Sequence, residues 1–300
     1  SHYVKPGSEL NEEAFNRATS VYYADQVVPM LPKSLSNGIC SLNEKELRLA
    51  FSCLMRLDQD GNLTDYKFVK SIICSRVKGV YSEINALLAG TADAETQAKY
   101  AEVLDQLPAM KELYGHRARL RKERGCMDIE SGEVKLILDE NGRCIDVKKR
   151  TSGESESMIE EFMLLANKQV AEFCGHHKVN GRAVRRTMVY RVHDVPNEEK
   201  LEKFRTFVLR FGYVFKADKG RAVAKEMNKL LGQAKGRIEE NVISNLAVRA
   251  MSKAFYSTDN IGHYGLAFPY YTHFTSPIRR YPDMMVHRLL ARYLEGGKSA

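Results

Sequence analysis

Residues 270–288, YYTHFTSPIRRYPDMMVHR, concentrate side chains that can bind a phosphate group. Arg279 and Arg280 follow a Thr-Ser-Pro sequence centred on Ser276, which predicts a turn and a helix start capped by a hydroxyl. A guanidinium binds phosphate through two parallel hydrogen bonds, and free N–H groups at a helix start favour the same anion. The alternative is a surface ion-pair network of the two arginines with Asp283. The neighbouring hydroxyl and tyrosine rings favour the phosphate site.

Other catalytic or metal-binding motifs are absent from the sequence or incomplete. There is no GxSxG, HExxH or GxGxxG motif, and the GKS sequence at 297–299 lacks the glycine that a P-loop places five residues before its lysine. Residues 58–62 contain Asp-Gln-Asp-Gly but no further calcium ligands, so a hairpin turn is the favoured interpretation. Cys174, His176 and His177 could begin a metal site, but no second ligand cluster stands at zinc-finger spacing.

The composition is that of a basic globular chain with scattered cysteines. It has 300 residues, of which 44% are hydrophobic, and a formal net charge of +8. This length suits one large domain or two ordinary ones. The positive charge favours a polyanionic partner, although proteins that are merely found near nucleic acid can have such a charge too. Six cysteines without a CxxC pair indicate free thiols, so we expect a cytoplasmic protein. No apolar run approaches the roughly 18 residues of a membrane span, and the oligomeric state is left open.

Hydrophobic periodicity predicts an α+β fold with β-hairpins early in the chain and amphipathic helices later. We expect a mixed or antiparallel sheet that is packed by the helices. The predicted strands are 48–57 with 66–74 and 134–138 with 144–147, and residues 1–4 resemble the end of another strand. The predicted helices are 11–18, 82–123, 155–173, 197–211, 222–231, 238–256 and 283–294. The basic run at 117–124 is typical of a solvated helix face, with a nucleic-acid stripe as the alternative.

Four sequence blocks resemble, in order, those of one enzyme family. Residues 18–32 contain TSVY and PMLP, residues 35–42 read LSNGICSL, residues 262–267 read GHYGLA, and residues 271–288 form the longest block. Together they resemble the RNB catalytic domain of the ribonuclease R and ribonuclease II family, and ribonuclease R-type members are the closer match. Because the resemblance extends over nearly the whole chain, we interpret residues 1–300 as part of an RNB catalytic domain.

The resemblance implies a processive 3′→5′ hydrolytic exoribonuclease. Such an enzyme threads single-stranded RNA into a deep channel and releases nucleoside 5′-monophosphates with the help of magnesium. By its position in the longest block, Arg279 matches the arginine that grips the scissile phosphate, which makes it the expected catalytic residue.

The same resemblance implies a set of RNA-binding residues. Tyr22 matches the aromatic residue that stacks against the terminal bases, while Tyr81 and Glu160 match positions that hold the base and sugar of the last nucleotide. We add Ser276 and Arg280 to this set because they flank the phosphate grip. Stacking on a ring tolerates any base, and contact with the 2′-hydroxyl would distinguish RNA from DNA.

Two departures from the family pattern affect these expectations. The family has a second clamping aromatic residue in a GA-x-DF block, whereas this sequence reads GCMDI and places Ile129 there. The base sandwich is then one-sided, or a neighbour supplies the other face; alternatively, Ile129 is a core strand residue. The family's metal-binding aspartates lie upstream of a strand ending in ADVSHYV, and this chain starts at SHYV. We therefore expect the aspartates and the flanking OB-type domains to be missing, no bound magnesium, and no hydrolysis by this chain alone.

Three hypotheses follow for function. The first is the core of an RNB exoribonuclease, and the second is a non-catalytic module that binds single-stranded RNA in a salt-sensitive manner. Only the residues at the family's metal-binding aspartate positions would distinguish these two hypotheses. The third is a basic α+β protein with an unrelated small-molecule pocket, which would require the long block at 271–288 to match by accident.

Overall fold

The computed structural model describes residues 2–128, 134–149, 152–179, 182–184, 186–218 and 220–299. The chain divides into two compact units, each assembled from segments that are distant in sequence. The first unit comprises residues 1–120, 152–188 and 273–300, and the second comprises residues 121–151 and 189–272.

Helices and two-stranded antiparallel sheets make up both units, which confirms the α+β expectation. The helices are α1 (Glu9–Arg17), α2 (Tyr81–Ala89), α3 (Ala94–Lys99), α4 (Gln106–Arg124), α5 (Glu154–Gly175), α6 (Glu198–Leu209), α7 (Arg221–Ala234), α8 (Glu240–Ala250) and α9 (Tyr281–Leu294), with a π-helical segment at Ser34–Ile39. The strands pair as β1 (Val21–Tyr22) with β2 (Val27–Val28), β3 (Leu47–Leu57) with β4 (Leu63–Cys74), β5 (Val134–Leu138) with β6 (Cys144–Lys149), β7 (Lys178–Val179) with β8 (Arg182–Ala183), and β9 (Tyr190–Val192) with β10 (Phe255–Ser257). Within the described ranges, no helix combines the length and apolar character needed to cross a membrane.

The longest hairpin joins β3 to β4 through the turn at residues 58–62, where the alternating pattern predicts it. Asp58 Oδ1 accepts hydrogen bonds from the backbone N–H groups of Asp60 at 3.0 Å and Asn62 at 2.7 Å. A side chain that bonds its own backbone two residues onward closes a turn of the Asx type. The carboxylate of Asp58 is therefore used to shape the hairpin, which confirms that interpretation over a calcium loop.

α5 is the most extensively buried helix of the first unit, and its apolar positions recur at the predicted spacing of three and four residues. Four polar residues are buried on the same helix, namely Ser155, Glu161, Asn167 and Gln169. Burying a polar group costs free energy unless it is hydrogen-bonded. These residues therefore mark places where α5 can bind other segments of the unit.

The core of the second unit is built from α6, α7 and α8. Phe204 of α6, Met227 of α7 and Ile243 of α8 are all buried in one apolar cluster. β10 lies antiparallel to β9, with Tyr256 opposite Arg191. The hairpin of β5 and β6 belongs to the same unit and confirms the second predicted hairpin.

Two predicted helices are shorter or more divided than the sequence pattern suggests. The helix predicted over 82–123 is divided into α2, α3 and α4, because Gly90 takes a left-handed conformation with φ of 71° and Asp93 caps a new helix start. The helix predicted over 238–256 ends at Ala250, since residues 255–257 pair with β9 instead. Local periodicity could not show that a distant strand competes for these backbone groups.

Two further predictions are wrong in detail. Residues 2–4 form no strand in the structure, and Val4 is instead buried in a small apolar cluster with Met30 and Met284. The basic run on α4 is not a uniformly solvated face, because Arg117 is only 6% exposed. The Arg117 guanidinium donates through Nη1 to the carbonyl oxygen of Gly61 at 3.1 Å, so at least this cation supports the β3–β4 turn.

Candidate nucleic-acid interface

The turn that precedes α9 is closed by Ser276 and Asp283. The backbone N–H groups of Arg279 and Arg280 donate to the carbonyl oxygen of Ser276 at 3.3 and 3.1 Å. The Ser276 N–H in turn donates to Oδ1 of Asp283 at 2.8 Å. The expected hydroxyl cap is therefore wrong: α9 begins at Tyr281 after an extended Arg280, and no side chain accepts a hydrogen bond as a cap at that position.

Arg280 forms the ion pair that the sequence left open as an alternative. Its Nε lies 2.9 Å from Asp283 Oδ2 and its Nη2 lies 2.7 Å from Oδ1. The Asp283 side chain is fully buried, and burial raises the pKa of its carboxyl group while the Arg280 guanidinium opposes that shift. Because the Nε and Nη2 donors of the guanidinium both bond Asp283, the geometry assigns Arg280 to the support of the turn.

Arg279 is held by its backbone, and its side chain is exposed. The Arg279 carbonyl oxygen accepts from the Ser20 N–H at 2.9 Å and from the Thr19 hydroxyl at 3.0 Å. The next residue in α9, Tyr281, donates its N–H to the carbonyl oxygen of Ala18 at 2.8 Å. Within the described residues, the Arg279 guanidinium makes no hydrogen bond or ion pair, so it is available to an external anion.

The same backbone pairing brings Tyr22 toward Arg279. Tyr22 lies in β1, two residues after Ser20, and its ring is 59% exposed. The Ser20 hydroxyl also accepts from the N–H of Met30 at 2.9 Å, which joins the TSVY and PMLP blocks. An exposed ring and an exposed guanidinium therefore project from two segments that are bonded through their backbones.

Three aromatic side chains pack together beside the turn. His287 on α9 stacks on Phe274 with ring centroids 4.4 Å apart, and Phe51 of β3 packs edge-on against both rings. Nε2 of His287 lies 2.8 Å from the carbonyl oxygen of Phe274. Burial lowers the pKa of His287 to about 4, so the imidazole is neutral and donates to that carbonyl at neutral pH.

α5 positions the other predicted RNA-binding residues. Tyr81 is the first residue of α2, is 47% exposed, and accepts a hydrogen bond at its carbonyl oxygen from the Ser155 hydroxyl at 3.2 Å. Glu160 is exposed in the second turn of the same α5 helix. Further along α5, Asn167 Oδ1 accepts from the N–H groups of Phe274 and Thr275 at 2.9 and 3.3 Å. Glu160 and Asn167 share a helix face because seven residues make almost two full turns.

The structure thus joins Tyr22, Arg279, Arg280 and Ser276 in one backbone-bonded group, and it connects Tyr81 and Glu160 to the supporting helix α5. Sequence reasoning missed the buried polar supports Ser155 and Asn167, and it named Asp283 only as a partner in a surface ion-pair network, whereas this residue is buried. The signal for the first two was a polar residue on the apolar face of a predicted helix. Ile129 lies outside the described residues, so the one-sided base sandwich stays a prediction.

The described residues do not fit a magnesium site. In these parts of the chain, no group of three or more histidine, cysteine, aspartate or glutamate side chains is arranged to hold a metal ion. The candidate ligand Cys174 is buried, and burial raises the pKa of its thiol to about 12. A protonated thiol is a poor metal ligand, which argues against the Cys174-His176-His177 alternative.

His287 makes the stability of the fold sensitive to acid. Its pKa of about 4 lies below the usual value near 6.5, so the unfolded chain binds a proton more readily than the folded one. The stabilisation is complete above pH 6.5 and is lost as the pH falls toward 4. We expect His287→Gln to reduce the pH slope of the unfolding free energy by up to about 1.4 kcal/mol per pH unit in that window.

Urea unfolding at several pH values measures this slope. His2→Gln is the control for the exchange of a histidine, because His2 is exposed. An unchanged slope in His287→Gln would contradict the neutral buried imidazole.

Comparison with known proteins places this geometry in a family. Residues 1–296 match the RNB domain. Ribonuclease R 1 of Lactococcus lactis subsp. lactis (strain IL1403) is 42% identical over 296 residues, which cover 99% of this chain and 35% of that protein. Ribonuclease R of Thermotoga maritima is 43% identical over 297 residues, which cover 98% of this chain and 40% of that protein.

A solved structure gives the same result. Mycoplasma genitalium RNase R in complex with ribose methylated single-stranded RNA is similar with a TM-score of 0.87 and 31% sequence identity. The match covers 98% of this chain and 44% of that chain, so this chain spans less than half the length of these relatives. The sequence blocks, the fold and the match over residues 1–296 together establish that the chain belongs to the RNB domain family.

Proposed function

We propose that this chain is the RNA-gripping core of an exoribonuclease that degrades single-stranded RNA from its 3′ end and releases nucleoside 5′-monophosphates. The observation that carries the proposal is Arg279, whose backbone is fixed by Thr19 and Ser20 while its guanidinium stays exposed. Support also comes from the related M. genitalium RNase R, which was solved with a single-stranded RNA. A cytoplasmic location belongs to the same proposal and is supported by the free cysteines of the described residues.

Each proposed contact uses a different property of the RNA. The Arg279 guanidinium binds a backbone phosphate through two hydrogen bonds, and the ring of Tyr22 stacks on a terminal base. Tyr81 holds the base of the last nucleotide, and the Glu160 carboxylate accepts from a ribose hydroxyl. Arg280 and Ser276, which the sequence predicts as RNA-binding residues, act indirectly in this proposal by holding the turn that carries Arg279. These contacts read no base edge, as a degradative enzyme requires.

Magnesium as the cofactor of hydrolysis is part of this proposal for the whole enzyme. Two bound divalent ions would activate water and stabilise the leaving oxygen. The carboxylates of the described residues do not form a site for them, and we assign no step of the reaction to the metal. What this chain contributes is binding and orientation: Arg279 aligns the phosphate, and the exposed tyrosines hold the bases beside it.

A non-catalytic module that binds single-stranded RNA is the second candidate, and the missing carboxylate cluster of the described residues favours it for this chain alone. Both candidates predict that affinity falls with salt, with a logarithmic slope of about 0.7 per phosphate contacted. They differ in product formation. Incubation of the 300-residue chain with single-stranded RNA and magnesium should leave the RNA intact, and release of monophosphates would overturn that expectation.

If Arg279 binds a phosphate, its replacement should weaken RNA binding more than the replacement of another arginine in α9 or in the preceding turn. Arg279→Ala should weaken binding of a short single-stranded RNA about tenfold or more, because a charge-assisted hydrogen-bond pair is lost, while the melting temperature stays unchanged. Arg279→Lys keeps the charge but loses the fork, so it should bind with intermediate affinity. In a full-length enzyme containing this domain, Arg279→Lys should mainly depress turnover.

Fluorescence anisotropy with a labelled oligonucleotide measures these affinities. Arg292→Ala is the matched control, because Arg292 is exposed in the last turn of α9 and carries the same charge. Arg280→Ala should instead lower the melting temperature, since it leaves the buried Asp283 carboxylate without its partner. Equal affinities of Arg279→Ala and Arg292→Ala would contradict the assignment of Arg279.

The stacking role of Tyr22 can be tested against its neighbour. Tyr22→Ala should weaken binding by about 1–3 kcal/mol, which is the value of one base stacked on an aromatic ring. Tyr23→Ala is the control, because Tyr23 is 60% exposed and follows Tyr22 directly, just beyond the end of β1. A loss of affinity in Tyr23→Ala but not in Tyr22→Ala would contradict the assignment of the stacking ring to Tyr22.

A further inference from the structure

The start of α2 has an unusual cap. Val80 stands at the N-cap position in an extended conformation, and its side chain cannot accept a hydrogen bond. In an ordinary capping box, the glutamate three residues into the helix reaches back to the N-cap N–H. Glu83 stands at that third position, but the Val80 N–H donates to the hydroxyl oxygen of Tyr100 at 2.9 Å instead.

Tyr100 therefore connects the two halves of the capping box. Its hydroxyl accepts from Val80 and donates to Glu83 Oε2 at 2.5 Å, and Lys99 Nζ donates to the same carboxylate oxygen at 2.6 Å. Lys99 and Tyr100 lower the pKa of the Glu83 carboxyl, and burial together with Glu83 raises the pKa of the Tyr100 hydroxyl. The proton thus stays on the phenol, which fixes the direction of both hydrogen bonds.

The position of Tyr100 makes this contact rigid. Its ring is only 1% exposed and is among the largest fully buried side chains of the chain, so the hydroxyl is held at one place. Val80 immediately precedes Tyr81, the first residue of α2. Any displacement of the Val80 N–H therefore tilts the helix start that carries the Tyr81 ring.

A second contact holds the other side of Tyr81. The Ser155 hydroxyl donates to the Tyr81 carbonyl oxygen at 3.2 Å, and the Ser155 N–H donates to Asn85 Oδ1 at 2.9 Å. The backbone is thus fixed before and after Tyr81, whereas its ring is 47% exposed. Within the described part of the chain, the Tyr81 hydroxyl makes no hydrogen bond. A fixed backbone with a free ring is the arrangement of a preorganised contact, which loses little entropy when a ligand binds.

We propose that Tyr100 is a positioning residue that orients Tyr81, through the N-terminus of α2, for contact with the 3′-terminal nucleoside of single-stranded RNA. This inference rests on the proposed function, because the RNA contact of Tyr81 belongs to it. Tyr100 itself is buried and does not touch the RNA. Its effect on binding must therefore pass through Tyr81, and this dependence makes it testable.

Tyr100→Phe removes the hydroxyl and keeps the buried ring. We expect the affinity for a short single-stranded RNA to fall on the order of threefold to tenfold, part of what a stacked base contributes. The same variant should bind an RNA with an abasic 3′-terminal ribose as tightly as the wild type does, since that probe offers Tyr81 no base. In a Tyr81→Ala background, Tyr100→Phe should cause no further loss.

Tyr213→Phe is the matched control. The Tyr213 hydroxyl donates to Glu239 Oε1 at 2.7 Å, and its ring is buried to a similar degree in the second unit. Both variants therefore remove a tyrosine–glutamate hydrogen bond, and both should lower the melting temperature slightly. Only Tyr100→Phe should change RNA affinity. Ser155→Ala, which removes the hydroxyl contact between α5 and the Tyr81 carbonyl, should repeat the effect of Tyr100→Phe and serves if that variant folds poorly.

Anisotropy titrations with the two RNA probes separate the outcomes. If the wild type binds and Tyr81→Ala weakens binding, but Tyr100→Phe and Ser155→Ala match the wild type, the positioning role is overturned while the proposed function stands. An equal loss with the abasic probe would overturn it as well, because the effect would then be general. If the wild type binds neither probe, the proposed function fails and this inference fails with it.

Discussion

The arrangement of the first unit depends on a short antiparallel contact between residues 18–20 and residues 279–281. One of its hydrogen bonds joins positions that are 260 residues apart in the sequence. Because the carbonyl oxygen of Arg279 and the N–H of Tyr281 are satisfied by this contact, the Arg279 side chain is not needed to hold the turn. The contact also places the strand of Tyr22 beside that turn, so one set of backbone bonds positions two of the proposed RNA contacts.

Two adjacent arginines have different environments for this reason. Arg280 forms a bidentate pair with the buried carboxylate of Asp283, whereas Arg279 points to solvent. A buried carboxylate needs a partner of opposite charge, and the geometry of the turn lets only one arginine meet it. Two identical side chains at neighbouring positions thus have different roles, since Arg280 supports the turn and Arg279 is a proposed RNA contact.

Buried polar side chains recur wherever a proposed contact is held. Asn167 accepts from the backbone at Phe274, Ser155 donates to the carbonyl of Tyr81, and Tyr100 joins Val80 to Glu83. Asn167 and Tyr100 thereby satisfy backbone N–H groups that have no partner within a helix or strand, and Ser155 joins the first turn of α2 to α5. The cost of burying these groups without a partner makes the irregular segments rigid, which is what a preorganised binding surface requires.

Much of the fold could be predicted from the sequence, because hairpins and amphipathic helices produce regular spacings of apolar residues within short stretches. The β3–β4 and β5–β6 hairpins and helices α1, α5, α6, α7 and α9 were predictable within a few residues, and so was the RNB family from its motif blocks. The division of residues 82–123 into separate helices was not predictable, because it depends on the left-handed conformation of Gly90. The strand at Phe255–Ser257 was not predictable either, because it depends on pairing with a distant strand. The sequence by itself also named Arg279 and Arg280 as one anion-binding pair. Only the tertiary structure separated them, since the buried carboxylate that occupies Arg280 and the backbone contact that frees Arg279 depend on packing between distant segments.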